Sequence, residues 1–213
     1  MKKFLTAVAF GLASVVLIAL PASAAGPYGV SFSGAGIPFV SGDVGEGVGA
    51  PEYKDAFDTG WGARLEAYSD FTPSLRGQIG VTYQSWGGAE LESIGVKFDD
   101  LKMWAIYIGG KYRFLPGSKF RPYLVADVGY ASLDSVDIST VTPPIATLLY
   151  WDKTGTYLVD VGAGAEYMVT PNVGIFLDVR GQMFGAPDKG VVPTAEADPG
   201  ISVPISVGVN YNF

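Results

Sequence analysis

The chain has 213 residues, no cysteine and no histidine, and 14 basic against 21 acidic side chains for a formal net charge of −7. The missing cysteine excludes a disulfide framework, and without histidine a transition-metal centre or a histidine-based catalyst lacks its usual ligand and base. The acidic balance disfavours nucleic acid, whose phosphates need clustered lysine and arginine.

The segment MKKFLTAVAFGLASVVLIALPASAA begins with two lysines, runs apolar to Pro21 and reaches the A-x-A site Ala22-Ser23-Ala24. It predicts a cleavable secretory signal peptide over residues 1–24, too short and too soon interrupted for a membrane anchor. Residues 25–213 are expected to form one domain with 12 basic and 21 acidic side chains. No later apolar run reaches the length of a transmembrane helix, so membrane insertion would have to use strands.

From Tyr28 onward the pattern has period two, which predicts strands with unlike faces. The first strand runs from Tyr28 to Val40. In GWGARLEAYS, Trp61, Ala63, Leu65 and Ala67 oppose Arg64, Glu66 and Tyr68. LRGQIGVTYQ, MWAIYIGGKYRF and FRPYLVADVGY repeat that contrast, setting Arg76, Lys111, Arg113, Arg121 and Asp127 against Ile79, Ile106 and Val128. TYLVDVGAGAEYM and VGIFLDVRGQM add Asp160, Glu166, Asp178 and Arg180 to the polar face. The eighth strand, ISVPISVGVNYNF, alternates from Ile201 to Phe213. Its Pro204 removes a ladder donor, which suits only a strand end or bulge.

Short connections near 69–74, 115–119 and 169–172 alternate with long ones near 41–58, 85–101, 131–155 and 184–200. The prediction is an all-β fold: an eight-stranded antiparallel up-and-down transmembrane β-barrel with short periplasmic turns and long extracellular loops. Both termini would then be periplasmic. The almost uncharged apolar face points to lipid. Its aromatics form two expected girdles, Trp61, Tyr83, Trp104, Tyr130 and Tyr157 toward the long loops, Tyr112, Phe114 and Tyr167 toward the short turns.

The other face would line a lumen that an eight-stranded barrel fills with side chains. It carries Arg64, Glu66, Arg76, Lys111, Arg113, Arg121, Asp127, Asp160, Glu166, Asp178 and Arg180, nearly balanced charges that survive burial only if paired. Glu66 is expected near Arg76, and Asp160 diagonally near Arg180. A continuous apolar path past Met103, Val125, Leu158, Met168 and Phe176 would instead indicate a tunnel. The long loops hold 15 carboxylates; a solvated surface is the expected reading, with weak divalent-cation binding the alternative.

RPYLVADVGYA, the Glu-Tyr-x-x-Thr-Pro-Asn hairpin and VGVNYNF resemble the small outer-membrane β-barrel proteins, the opacity-type and the outer membrane protein X-like, W-like and A-barrel groups. That resemblance implies an outer-membrane location among lipid and lipopolysaccharide; no cofactor and a monomer are expected. It also implies that Val209, Tyr211 and Phe213 are the signal read by the barrel-assembly machinery. Enzymes among small barrels rely on a catalytic histidine, so the expected function is non-enzymatic, in envelope structure or in surface interaction through four extracellular loops. A narrow channel for small or hydrophobic solutes, as in the W-like group, is the alternative; a soluble lipocalin-like carrier is a weaker one.

Overall fold

The computed structural model describes residues 28–46, 50–92, 95–141, 146–192 and 195–213. The signal-peptide segment 1–24 lies outside the described residues. In chain order the strands are β1 (Tyr28–Ile37), β2 (Phe39–Ser41), β3 (Gly60–Asp70), β4 (Leu75–Trp86), β5 (Glu90–Leu91), β6 (Val96–Phe98) and β7 (Leu101–Arg113). They continue as β8 (Phe120–Leu133), β9 (Val136–Thr140), β10 (Thr147–Trp151), β11 (Thr154–Met168), β12 (Val173–Phe184), β13 (Gly200–Ser202) and β14 (Ile205–Asn212). One helical turn, α1 (Tyr53–Ala56), precedes β3.

Among the described residues, eight of these strands form a closed antiparallel ring in the order β1-β3-β4-β7-β8-β11-β12-β14. β14 closes it by pairing with β12 on one side and β1 on the other. Closure satisfies every edge, which a sheet in hydrocarbon requires. The alternation decides which face points where. Val161 and Val207 on the outer face are 61% and 65% exposed, whereas Asp160 and Arg180 on the inner face are 0% and 1% exposed. An apolar outside around a charged inside suits a bilayer and would aggregate in water, which rules out the lipocalin-like carrier.

The two Thr-Pro hairpins share one device. The Thr72 hydroxyl accepts hydrogen bonds from the backbone N–H groups of Ser74 (3.3 Å) and Leu75 (2.9 Å). The Thr170 hydroxyl does the same for Asn172 (3.3 Å) and Val173 (3.0 Å). Such side-chain bonds fix tight turns locally. At the opposite end, prolines interrupt two strands. Pro38 separates β1 from β2, and Pro204 lies in the break between β13 and β14. Neither has an N–H to donate, but their carbonyls still accept, from Val203 N (2.9 Å) and Arg180 N (3.0 Å).

The wall rises beyond the predicted strand ends on the long-loop side. There β10, β9, β6 and β5 form a second, four-stranded sheet. Its β6–β9 pairing continues the β7–β8 hairpin upward. The second and third long connections therefore carry strands of their own among the described residues.

Candidate functional site: a charged lumen beneath a loop cap

The barrel interior is layered, and strand register sets each layer. In the middle, Asp127 on β8 lies directly opposite Asp160 on β11. Two facing carboxylates repel unless cations bridge them, and two arginines do. Arg64 from β3 reaches Asp160 Oδ2 at 2.7 Å and Asp127 Oδ2 at 3.7 Å. Arg180 from β12 reaches Asp127 Oδ2 at 2.6 Å, Asp178 Oδ2 at 2.9 Å and Glu66 Oε1 at 3.5 Å. Lys111 completes the group with Nζ 3.0 Å from Glu66 Oε2.

Neutral donors add to the network, although Asp160 Oδ1 and Asp178 Oδ1 stay buried without a donor. The Ser31 and Tyr107 hydroxyls donate to Glu66 at 2.8 and 3.1 Å, and Tyr123 donates to Asp178 at 3.1 Å. Gln78 Nε2 donates to Asp127 Oδ1 at 2.7 Å. The room for Asp127 depends on Gly109, where an added Cβ would collide with Asp127 Oδ1 and the Ala126 carbonyl. A void beside the cluster, ringed by Ser33, Ile37, Arg64, Thr82, Gln84 and Ser206, measures about 10 Å³, the size of a single water.

Toward the short turns, Arg76 and Arg113 share Asp70 at 2.7 and 2.8 Å, and the Arg76 guanidinium stacks 3.6 Å from the centre of the Tyr68 ring. Glu166 accepts from Asn210 Nδ2. Glu66 and Arg76 are not partners, contrary to expectation. Arg76 lies directly across from Asp70, while Glu66 lies across from Gly80 and reaches into the middle layer instead. Asp160 and Arg180 are 3.9 Å apart. Arg121 stands outside the network: its Nε donates to the Ser118 carbonyl at 2.9 Å, at the short-turn rim. Asp70 is the lumen charge that the sequence reading passed over, although it continues the even-numbered series Arg64, Glu66, Tyr68.

Toward the long loops the lining turns apolar. Ile37, Leu101, Met103, Ala105, Ala131, Leu133, Leu158 and Phe184 form one buried cluster with residues of the loops themselves. Phe39, Val44, Tyr53, Ala56 and Phe57 descend from the first long connection, Tyr150 and Trp151 from the third, and Ala195 and Ala197 from the fourth. Each buried polar edge has a partner. Trp86 Nε1 donates to the Ile37 carbonyl at 2.9 Å, Trp151 Nε1 to Ala195 at 3.0 Å and the Tyr150 hydroxyl to Val44 at 2.9 Å. The Tyr53 hydroxyl donates to the Asp198 carbonyl at 3.2 Å. Burial, with Asp198 nearby, pushes the Tyr53 phenol far above its ordinary range and keeps it a donor.

The loop carboxylates lie at the surface, none of them buried, and beneath them apolar and aromatic loop residues pack into a cap. The cap divides the residues considered as a tunnel. Met103 and Leu158 belong to the cap, while Val125, Phe176 and Met168 lie further along β8, β12 and β11, beyond the Asp127, Arg180 and Asp160 layer. The apolar path is broken by charge.

On the outer face, Trp61, Tyr83, Trp104, Tyr130 and Tyr157 are exposed near the long loops, and Tyr112, Phe114, Tyr167, Tyr211 and Phe213 near the short turns. Tyr28 and Phe71 join the second set. Val209, Tyr211 and Phe213 share one outward row on and just past β14. The Phe213 ring lies 5.5 Å from that of Tyr28 and 5.2 Å from that of Tyr211.

A family profile described as the outer membrane protein beta-barrel domain matches residues 10–213. Among solved structures, the chain is similar to the outer membrane protein OprG from Pseudomonas aeruginosa, at 15% identity and TM-score 0.59, covering 89% of this chain and 96% of that one. It is similar to Neisserial surface protein A at 20% identity and TM-score 0.52, covering 87% and 97%. It is also similar to Ail, the attachment invasion locus protein of Yersinia pestis, solved with the heparin analogue sucrose octasulfate, at 13% identity and TM-score 0.50, covering 89% and 100%. No curated protein matches the sequence.

Proposed function

Because the chain belongs to the outer membrane protein beta-barrel domain family and is located in the cell outer membrane, we propose that it is a sealed, non-enzymatic barrel that acts through its loop surface. The observation that carries this reading is the double closure of the lumen. An aromatic cap fills the long-loop end, and an ion-pair network whose side chains are 0–7% exposed fills the middle. A solute-conducting barrel keeps a wetted or continuous apolar path; here each stretch abuts the other.

The closure also gives the loops a platform. Packing onto buried Tyr53, Trp86 and Trp151 fixes the backbone, so the acidic groups above it are presented in a set arrangement to lipopolysaccharide-bound cations, a neighbouring cell or a host surface. In this orientation the short turns and both ends of the barrel chain face the periplasm. Proteoliposomes carrying the barrel should admit small neutral and small apolar solutes no faster than empty vesicles. Faster uptake of either class would reinstate the channel reading.

The outward row Val209, Tyr211 and Phe213 is the proposed recognition element for the assembly machinery. Phe213→Ala should lower the assembled fraction in cells severalfold, read as the heat-modifiable folded band on a gel. Refolding of the same variant into detergent should be nearly unchanged, because Phe213 is 59% exposed and its loss opens no cavity.

A further inference from the structure

We propose that the short-turn mouth of the barrel is a phosphate-binding site built on Arg113 and Arg121, which takes a lipid headgroup phosphate or a free phosphate ion. The mouth holds a pocket of about 330 Å³ whose wall includes both arginines, Asp70, and the turn residues Phe71, Pro73 and Pro116. That volume stands at the lower end of the range for small-molecule sites. Strand register brings the two arginines to one place. Arg113 of β7 lies opposite Tyr123 of β8. Arg121, two residues earlier on the same face, is therefore its diagonal neighbour.

Neither arginine is used up by the protein. Arg113 is 3% exposed; its Nη2 reaches Asp70 Oδ2 at 2.8 Å, and its Nε is buried with no acceptor. The same Asp70 serves Arg76 at 2.7 Å, so one carboxylate is shared between two guanidiniums. Arg121 is half-buried and gives its Nε to the Ser118 carbonyl, while its Nη groups take no acceptor among the described residues. Glu166 lies directly across from it in register but accepts from Asn210 instead. Arg76, Arg113, Lys119 and Arg121 at this end stand against Asp70 and Glu166, which leaves an excess of two positive charges. A planar guanidinium fork matches a phosphate bidentately, and a second fork beside it adds charge-assisted bonds.

The surroundings suit a phosphate carried by lipid. Phe71 is 69% exposed and lines the pocket, and its ring also covers Gly77 on the outer face of β4, where a Cβ would collide with it. One wall of the pocket is thus continuous with the lipid-facing surface. Phe114 and Phe120 are exposed at the same end, in the aromatic girdle that marks the headgroup level. A phospholipid of that leaflet can set its phosphate against the arginines while its acyl chains stay beside the outer face. A soluble phosphate ion would use the same two guanidiniums.

Titration of the barrel refolded in a phosphate-free maltoside detergent, with ¹⁵N-labelled arginine, tests the site through its Nε–H resonances. Inorganic phosphate should shift the Arg113 and Arg121 signals saturably and leave those of Arg64 and Arg180 in place. Phosphatidylglycerol added to the same micelles should shift them at lower concentration, which would identify the lipid headgroup as the source. A response to inorganic phosphate alone would identify the soluble ion. Arg121→Gln should weaken either response about tenfold, the loss of one charged fork. Its single bond goes to a turn carbonyl, so the variant should still refold, read as the heat-modifiable folded band. Lys119→Gln should change little, because Lys119 is exposed and not part of the pocket wall. The absence of a saturable shift with both probes would overturn the proposal. So would equal losses in Lys119→Gln and Arg121→Gln, which would mean diffuse surface charge, or a response to acetate as strong as that to phosphate.

Discussion

Arg180→Ala should lower the stability of the barrel by about 3–5 kcal/mol, the cost of removing one partner from a buried ion pair. Arg180 is 1% exposed and sits between Asp127 and Asp178, with Glu66 at 3.5 Å and Asp160 at 3.9 Å. Its loss leaves Asp178 with the Tyr123 hydroxyl alone and Asp127 with Gln78 and the longer 3.7 Å contact to Arg64. Arg180→Lys should recover only part of this, because a single ammonium cannot reach carboxylates on both sides of a planar fork. Urea unfolding of refolded protein in detergent measures the change as a shifted midpoint at constant slope. A shift below about 1 kcal/mol would mean that water already solvates these carboxylates.

The second large effect is expected at the other end. Trp151→Ala should cost about 3–5 kcal/mol, the range for deleting a large aromatic from a packed core. Trp151 is 0% exposed, with its ring 5.5 Å from Tyr53, 5.9 Å from Phe57 and 5.4 Å from Tyr150. Because those neighbours come from loops above the ring of strands, the loss should be local. Hydrogen exchange should quicken across residues 39–46, 50–58, 147–152, 188–192 and 195–198 while β4, β7 and β12 keep their protection, since local and global opening are separable. Uniform loss of protection would mean that cap and barrel unfold as one unit.

The ring of strands was legible because a bilayer imposes a strict rule on it. Every second residue meets lipid, so Ile79, Val128 and Val207 stand on an apolar outer row whose intervening residues, such as Gln78, Asp127 and Ser206, are buried inside. The cap was not legible for the converse reason. Phe39, Tyr53, Phe57 and Trp151 lie in segments of mixed polarity where neither period two nor 3.6 persists, and their burial depends on meeting across connections far apart in sequence. The ion pairs fall between these cases. That Glu66 and Arg180 face inward follows from alternation, but their partners follow from register and from which strands meet across the lumen. The turn at Thr72 sets Asp70 against Arg76 and frees Glu66 for Lys111.

In the proposed function two independent seals shut the lumen. Planar-bilayer recording of the refolded barrel, beside the double variant Arg180→Ala/Trp151→Ala, decides whether they do. The parent should be silent over the full voltage range, and only the double variant should pass current. Reproducible conductance steps in the parent, altered by Glu66→Gln, would contradict this reading and identify the charged cluster as the lining of a pore.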